Sequence, residues 1–281
     1  MVAKVLKKMQ IECTGLSMKN RVRRRWACLS RARSWGALCF ASLVLSGCLS
    51  MLSNDEPSAK SVNILPEAAR SAEQRGQYAV AANYYRKMYL EGSDELPIIL
   101  GYARNLRYAG AVTEAVTALE GVEDTHEDAS AFLLEIGKAR LAVGRGDAAV
   151  LTLLRAARID SENWEVHSAL GIGYDLLKEY DHAANAYRRA LALSPGNPAV
   201  LNNKAMSLAQ NGKIDAAIKV LEGVPNLARG KAHIRQNLAL FYGIKGNFKK
   251  AESYAKLDLD DEMVKNNMVY FRRFQETRVS N

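Results

Sequence analysis

Alanine recurs at positions 81, 115, 149, 183, 217 and 251, six times at a spacing of 34 residues. Glycine keeps the same beat at positions 76, 110, 144, 212 and 246, and Lys178 fills the one remaining place. A third column is small throughout: Ala69, Ala103, Gly137, Gly171, Ala205 and Ala239. A constant period of this length marks an array of one supersecondary unit, in which each copy buries its apolar face only against its neighbours. Such an array presents a long surface, and the chain is expected to bind rather than to catalyse.

Within one period, apolar residues fall at i, i+3, i+4 and i+7, which is a helical spacing. The fourth copy shows the layout best, with Trp164, Leu170-Gly171, Tyr174, Ala183, Tyr187, Ala190 and Pro195. A turn separates the two small columns, so each unit reads as helix A, a tight turn and helix B. The glycine column suits the left-handed residue that ends helix A. The small columns stand where two helices approach closely. Tyr85, Leu119, Leu153, Tyr187 and Leu221 are then expected to fill the layer between units, with Ala255 in the sixth.

This pattern resembles the tetratricopeptide repeat (TPR), which implies an all-α solenoid. In that register six units begin at Val62, Leu96, Ser130, Trp164, Pro198 and Ala232, covering residues 62–265 without insertion. Arg140 stands in a slot that is aromatic or aliphatic in the family, and only the fourth copy keeps the late proline. Beyond the repeats, Val264, Met268, Phe271 and Phe274 form an apolar stripe while Arg272 and Arg273 face elsewhere; residues 266–281 are expected to form a capping helix.

The first 47 residues read as a leader. Arg21, Arg23, Arg24, Arg25, Arg31 and Arg33 precede an apolar run from Trp35 to Leu45, too short to span a bilayer as a helix. The run closes with Leu45-Ser46-Gly47-Cys48, which resembles the bacterial lipobox and implies lipidation of the Cys48 thiol. Met1 and Met18 both stand as candidate starts, the second giving a leader of more ordinary length. Leu49 follows the cysteine where an aspartate would signal retention at the inner membrane, so the outer membrane is the expected destination. Residues 48–61 read as the lipidated cysteine and a polar Ser/Pro tether, whose thirteen residues after Cys48 reach at most roughly 45 Å.

That leader accounts for the net charge. Ten of the 39 basic and one of the 30 acidic residues precede Cys48, leaving 29 of each. The formal +9 therefore carries no argument for a nucleic-acid partner, which would require a basic face on the mature chain. Cys13, Cys28 and Cys39 depart with the leader, so the mature chain is expected to hold no disulfide and no cysteine metal site.

No catalytic motif, cofactor site or metal site is expected. Gly144-Arg145-Gly146-Asp147-Ala148-Ala149 spells a dinucleotide fingerprint but falls on the inter-helix turn of the third unit with no strand before it. His167 is expected to be a half-buried structural imidazole, and Asp181 and Asp215 to cap their B helices.

In TPR proteins the A helices line a concave groove that takes partner segments. The resemblance places Glu135, Lys138, Ser168, Asn202, Asn203, Gln210, His233, Gln236 and Asn237 there. The amides among them could hold the backbone of an extended peptide without reading charge. A two-carboxylate clamp of the chaperone-tail kind does not fit, because Ser168, Ile172, Asn203, His233 and Asn237 supply no cation.

Leu201-Asn-Asn-Lys-Ala-Met-Ser-Leu-Ala, His233-Ile-Arg-Gln-Asn-Leu-Ala-Leu-Phe-Tyr-Gly, Asn247-Phe-Lys-Lys-Ala-Glu, Asp258-Leu and Asn266-Asn-Met-Val-Tyr-Phe-Arg-Arg together resemble the TadD family, TPR lipoproteins of tight-adherence (Flp) pilus assembly. That resemblance implies an outer-membrane, pilotin-like scaffold facing the periplasm. Its partner would be the pilus secretin or a neighbouring Tad assembly protein. A type IV pilus pilotin of another TPR lineage and a lipoprotein activator of a peptidoglycan synthase are the alternatives with the same architecture.

Overall fold

The structure is a computed structural model and describes residues 64–93, 95–225 and 231–279. The leader, Cys48 and the tether lie outside the described residues.

Thirteen α-helices follow one another, with no strand among the described residues. They are α1 (Leu65–Gln74), α2 (Tyr78–Leu90), α3 (Leu96–Ala109), α4 (Val112–Glu120), α5 (Ser130–Ala142), α6 (Gly146–Ile159) and α7 (Trp164–Leu176). Then come α8 (Tyr180–Leu193), α9 (Pro198–Gln210), α10 (Ile214–Glu222), α11 (Ala232–Lys245), α12 (Phe248–Ala255) and α13 (Asp261–Val279). Helices α3, α5, α7, α9 and α11 begin at Leu96, Ser130, Trp164, Pro198 and Ala232, the register counted from the sequence.

The columns explain the packing. All six alanines of the first column are 0 % exposed, wedged where helix B crosses helix A. The small column of helix A is buried too, and its glycines receive the large residue of helix B. A Cβ on Gly171 would stand 2.6 Å from Tyr187 Cζ, and one on Gly137 would stand 2.6 Å from Leu153 Cδ2. A Cβ on Gly146, the last glycine of the apparent fingerprint, would stand 2.8 Å from Leu177 Cδ2.

Every A helix ends in the same hydrogen-bonded turn. The N–H donors of Gln77, Ala111, Arg145, Glu179, Lys213 and Asn247 reach the carbonyls of Ala72, Leu106, Arg140, Tyr174, Leu208 and Tyr242 at 2.8–2.9 Å. This bond needs a left-handed residue just before the donor. Glycine supplies it five times, and Lys178 adopts φ 64°, the single non-glycine at positive φ among the described residues. Because the turn delivers the chain directly into helix B, Asp181 and Asp215 fall inside the first helical turn, and neither α8 nor α10 has a side-chain cap bond. The capping role expected of them is corrected: Asp215 pairs with Lys245, and both aspartates sit where they favour the positive end of the helix dipole.

Arg140 keeps its odd slot by charge rather than by aromatic packing. Its guanidinium, 12 % exposed, donates to Thr152 Oγ1 at 2.6 Å, to Glu123 at 2.6 Å and to Glu120 at 3.4 Å. Tyr242 fills the same slot in the sixth unit and donates to Glu222, the counterpart of Glu120.

The stack ends under α13. Val264, Met268, Phe271 and Phe274 are all buried, and Phe271 packs against Gly243 of α11. Gln275 donates to the carbonyl of Gly243 at 3.4 Å, and also to that of Ile244. The helix starts at Asp261, so the boundary placed at residue 266 falls inside it. Asp260 accounts for the earlier start, accepting from the Met263 N–H at 2.9 Å.

Candidate functional site

The A helices lie on the inner side of the stack. From the second unit to the fifth, each A helix touches the next, as does α11 with α13, while no two consecutive B helices touch to a like extent among the described residues. The shared face of the A helices is therefore the candidate binding surface.

Polar contacts cross this face from unit to unit. Glu73 on α1 accepts from Arg104 at 3.3 Å and from Asn105 on α3. Arg107 Nε donates to Glu135 Oε1 on α5 at 3.0 Å, and Lys138 donates to Glu165 on α7. Asn203 on α9 donates to Ser168 Oγ at 3.3 Å, and Ser207 donates to Asp175 on α7 at 2.6 Å. Asn237 on α11 donates to Asn202 Oδ1 at 2.7 Å. Burial opposes the charge of Arg107, and Glu135 more than offsets it, so the guanidinium is held above its usual pKa. Asp175 is pushed up by burial against the pull of two hydroxyl donors, Ser207 and Tyr187.

The residues taken from the sequence divide into three groups. Glu135, Lys138, Ser168, Asn202, Asn203 and Asn237 do lie on the inner face, engaged as inter-unit rungs. Gln210 is half-buried at the end of α9, and His233 is exposed in the first turn of α11. Gln236 differs: its Nε2 donates to Asp258 Oδ2 at 3.2 Å. Asp258 also takes a bidentate grip from Arg235, whose Nε stands at 2.9 Å. That hydrogen bond holds the Asp258 carboxyl below its usual range. Gln236 is thus part of a latch tying α11 to the segment before α13. His167 is half-buried, its Nε2 2.9 Å from the Ser161 carbonyl oxygen. Cys48 lies outside the described residues.

Sequence reasoning missed the twelfth position of each unit, where Glu73, Arg107 and Asp175 each reach a neighbouring unit. It also missed an apolar feature. Tyr108, Ile172 and Leu176 remain 53 %, 39 % and 46 % exposed on A helices. Ile172 shares a helical stripe with Glu165, Ser168 and Asp175, all of which contact neighbouring A helices, so it belongs to the inner face. A count of helical positions would have found all three, because Tyr108 and Leu176 occupy the same place two units apart.

Tetratricopeptide-repeat family models match residues 100–163 and 177–241. Among solved structures, a thermophilic TPR protein of Thermus thermophilus is similar with a TM-score of 0.58 at 19% identity, covering 64% of this chain and 98% of its own. MamA (41-end) from Desulfovibrio magneticus RS-1 is similar with a TM-score of 0.50 at 15% identity, covering 62% of this chain and 98% of its own. At these identities the likeness is one of fold.

Proposed function

We propose that this tetratricopeptide-repeat solenoid is a lipoprotein scaffold of the bacterial envelope, anchored through Cys48 and assisting assembly of a tight-adherence pilus. It works by holding a protein partner on the inner face of its A helices. The observation that carries the reading is the order Arg-rich segment, apolar run, Leu45-Ser46-Gly47-Cys48 and short tether immediately ahead of an uninterrupted repeat array. Two or more acyl chains are needed for stable anchoring, which lipidation of such a cysteine supplies. The lipid sets the location and the solenoid the partner; turnover of a substrate has no part in it.

The pilus partner rests on the resemblance to the TadD family. Some of the residues that carry it, Arg235, Gln236 and Asp258, form the latch beneath the capping helix. Their role is to fix the end of the stack. The partner in this reading is the pilus secretin or a neighbouring assembly protein, and the outer membrane is the destination.

The test compares the wild type with Cys48→Ser by co-purification from outer membranes and mass spectrometry. The expected result is a pilus secretin recovered with the wild type and lost from the outer membrane of the variant. Recovery of a peptidoglycan synthase, with normal piliation after deletion of the gene, overturns the pilus role and favours the cell-wall alternative.

A further inference from the structure

The mature chain is neutral as a whole but not along its length. Residues 49–210 hold 16 basic and 21 acidic side chains, while residues 211–281 hold 13 basic and 8 acidic. The positive charge is therefore gathered in the last part of the array, from the turn of the fifth unit onward.

Much of that charge faces outward on the B helices α10 and α12. Lys245 pairs with Asp215, Lys250 with Glu222 at 3.4 Å, and Lys256 with Glu252 at 2.6 Å. These pairs take up every acidic residue of the two helices. Lys213, Lys219 and Lys249, all exposed, stand outside them. Arg272 adds a further cation, 5.9 Å over the Phe248 ring. On α12, Lys249, Ser253 and Lys256 share the stripe turned away from the buried Ala251 and Ala255. The acids that follow α12 are mostly engaged elsewhere. Asp258 is gripped by Arg235, and Asp260 accepts from the Met263 N–H. Asp261 and Glu262 stand in the first turn of α13, at the positive end of its dipole, and Asp261 also acts on Lys256 at the rim of the patch.

We propose that the outer face of α10 and α12 docks on anionic phospholipid headgroups of the membrane that holds the Cys48 lipid. This rests on the lipoprotein reading and adds a second contact to it. None of the large apolar side chains of α10 and α12 is exposed. The surface thus lacks the apolar centre of a protein interface and supplies charge alone. Its cations are six lysines and one arginine. Lysine is a hydrated, flexible point charge that suits a mobile field of headgroup phosphates, where arginine suits one fixed carboxylate. Distance permits the contact. Five steps of about 8–10 Å separate the first A helix from the sixth, roughly 40–50 Å. The thirteen tether residues span up to roughly 45 Å, so the array is free to lie along the bilayer. The lipid then holds the first unit and the lysines bring down the last two, whose A helices turn away from the membrane.

The experiment uses the full-length acylated protein in vesicles of phosphatidylcholine, alone or with about 30 % phosphatidylglycerol. Ser253→Cys places one reactive thiol between Lys249 and Lys256, since Cys13, Cys28 and Cys39 leave with the leader and Cys48 is acylated. A donor dye there reports energy transfer to an acceptor carried on lipid headgroups. Thr117→Cys, at the exposed place of Lys219 three units earlier, is the control site. Transfer from the Ser253 site is expected to rise at least about twofold with phosphatidylglycerol and to fall back at about 500 mM salt. Transfer from the Thr117 site is expected to change little. Lys219→Gln with Lys249→Gln should lower the ratio of docked to undocked protein by about thirtyfold, the headgroup attraction of two lysines. Lys219→Arg with Lys249→Arg should keep it, which separates charge from any effect on folding.

Equal transfer in the two kinds of vesicle, or a gain that survives the glutamine pair, overturns the proposal. So does an equal rise at the Thr117 site. A net-acidic peptide that binds in neutral vesicles, with no gain from phosphatidylglycerol, assigns the lysines to a protein partner and overturns it as well. Flotation separates this proposal from the reading beneath it. If the wild type floats with neutral vesicles and Cys48→Ser does not, the lipid anchor stands whatever the transfer shows. A wild type that fails to float brings down both.

Discussion

Lys178 offers a sharp test of how the turns are built. Its φ of 64° is one that glycine adopts freely and that costs an L-residue about 1–2 kcal/mol. Replacing it by glycine removes that strain but widens the unfolded ensemble, which returns about 0.4–1 kcal/mol. The net expectation for Lys178→Gly is a stabilisation of about 0.5–1 kcal/mol. Gly144 holds the equivalent place one unit earlier at φ 80°, and a Cβ there would meet no atom within 4 Å. Gly144→Lys should therefore cost a similar amount through backbone strain alone. Because a repeat array opens locally, the assay is amide hydrogen exchange alongside a urea melt. The Glu179 N–H, which donates to Tyr174 O at 2.8 Å, should gain about two- to fivefold protection in Lys178→Gly. The Arg145 N–H, which donates to Arg140 O at 2.9 Å, should lose a similar factor in Gly144→Lys. Lower protection in the first variant, or no change in the second, refutes the account of the turn as a strained left-handed cap.

Two further outcomes follow from the packing and the latch. Gly171→Ala should destabilise by about 1–3 kcal/mol, because the added methyl runs into the Tyr187 ring. Adding Tyr187→Leu, the residue at that place in three other units, should recover part of the loss in a double-mutant cycle by urea denaturation; simple additivity would count against the contact. Asp258→Asn should cost about 1–3 kcal/mol near neutrality, since the bidentate, charge-assisted contact with Arg235 is reduced to a neutral one. The folded pKa of Asp258 is depressed, so its contribution is complete above the ordinary carboxylate value of about 3.9 and fades as pH falls through the depressed value. The gap between wild type and Asp258→Asn should accordingly narrow in acid, and a gap that widens there would exclude the ion pair as its source.

The fold was legible because its constraint is steric and strictly periodic. Ala81, Ala115 and their counterparts occupy crossings where only a methyl fits, so a column of one residue type marks the geometry directly. The turns were legible for the same reason, glycine being required by φ. What escaped the sequence depends on reach rather than on size. Arg107 finds Glu135 and Asp175 finds Ser207 across a helix boundary, and long polar side chains leave no fixed column. Gln236 looked like a groove amide because its partner, Asp258, sits in an aperiodic segment after the last unit. Asp181 and Asp215 lie two residues past the cap positions Glu179 and Lys213, since the left-handed turn brings helix B in earlier than a capping aspartate would. Ile172 and Leu176 stand in the repeat frame beside the groove amides, but their exposure is set by how neighbouring units pack and leaves no mark in the sequence.

The inter-unit rungs also set how the stack can flex. In the first four units they are ionic, Glu73–Arg104, Arg107–Glu135 and Lys138–Glu165, with long stems that can extend or fold while the charges stay in touch. In the last three they are short, Ser168–Asn203, Asp175–Ser207 and Asn202–Asn237, and a small displacement breaks them. The solenoid therefore behaves as two springs in series, a compliant one nearest the N-terminus and a stiff one toward the capping helix. Both meet at α7, whose stripe carries an ionic rung, two short ones and Ile172. Added salt loosens the inner-face ion pairs of the first spring, while in the second it reaches only the exposed outer pairs Asp215–Lys245 and Glu222–Lys250.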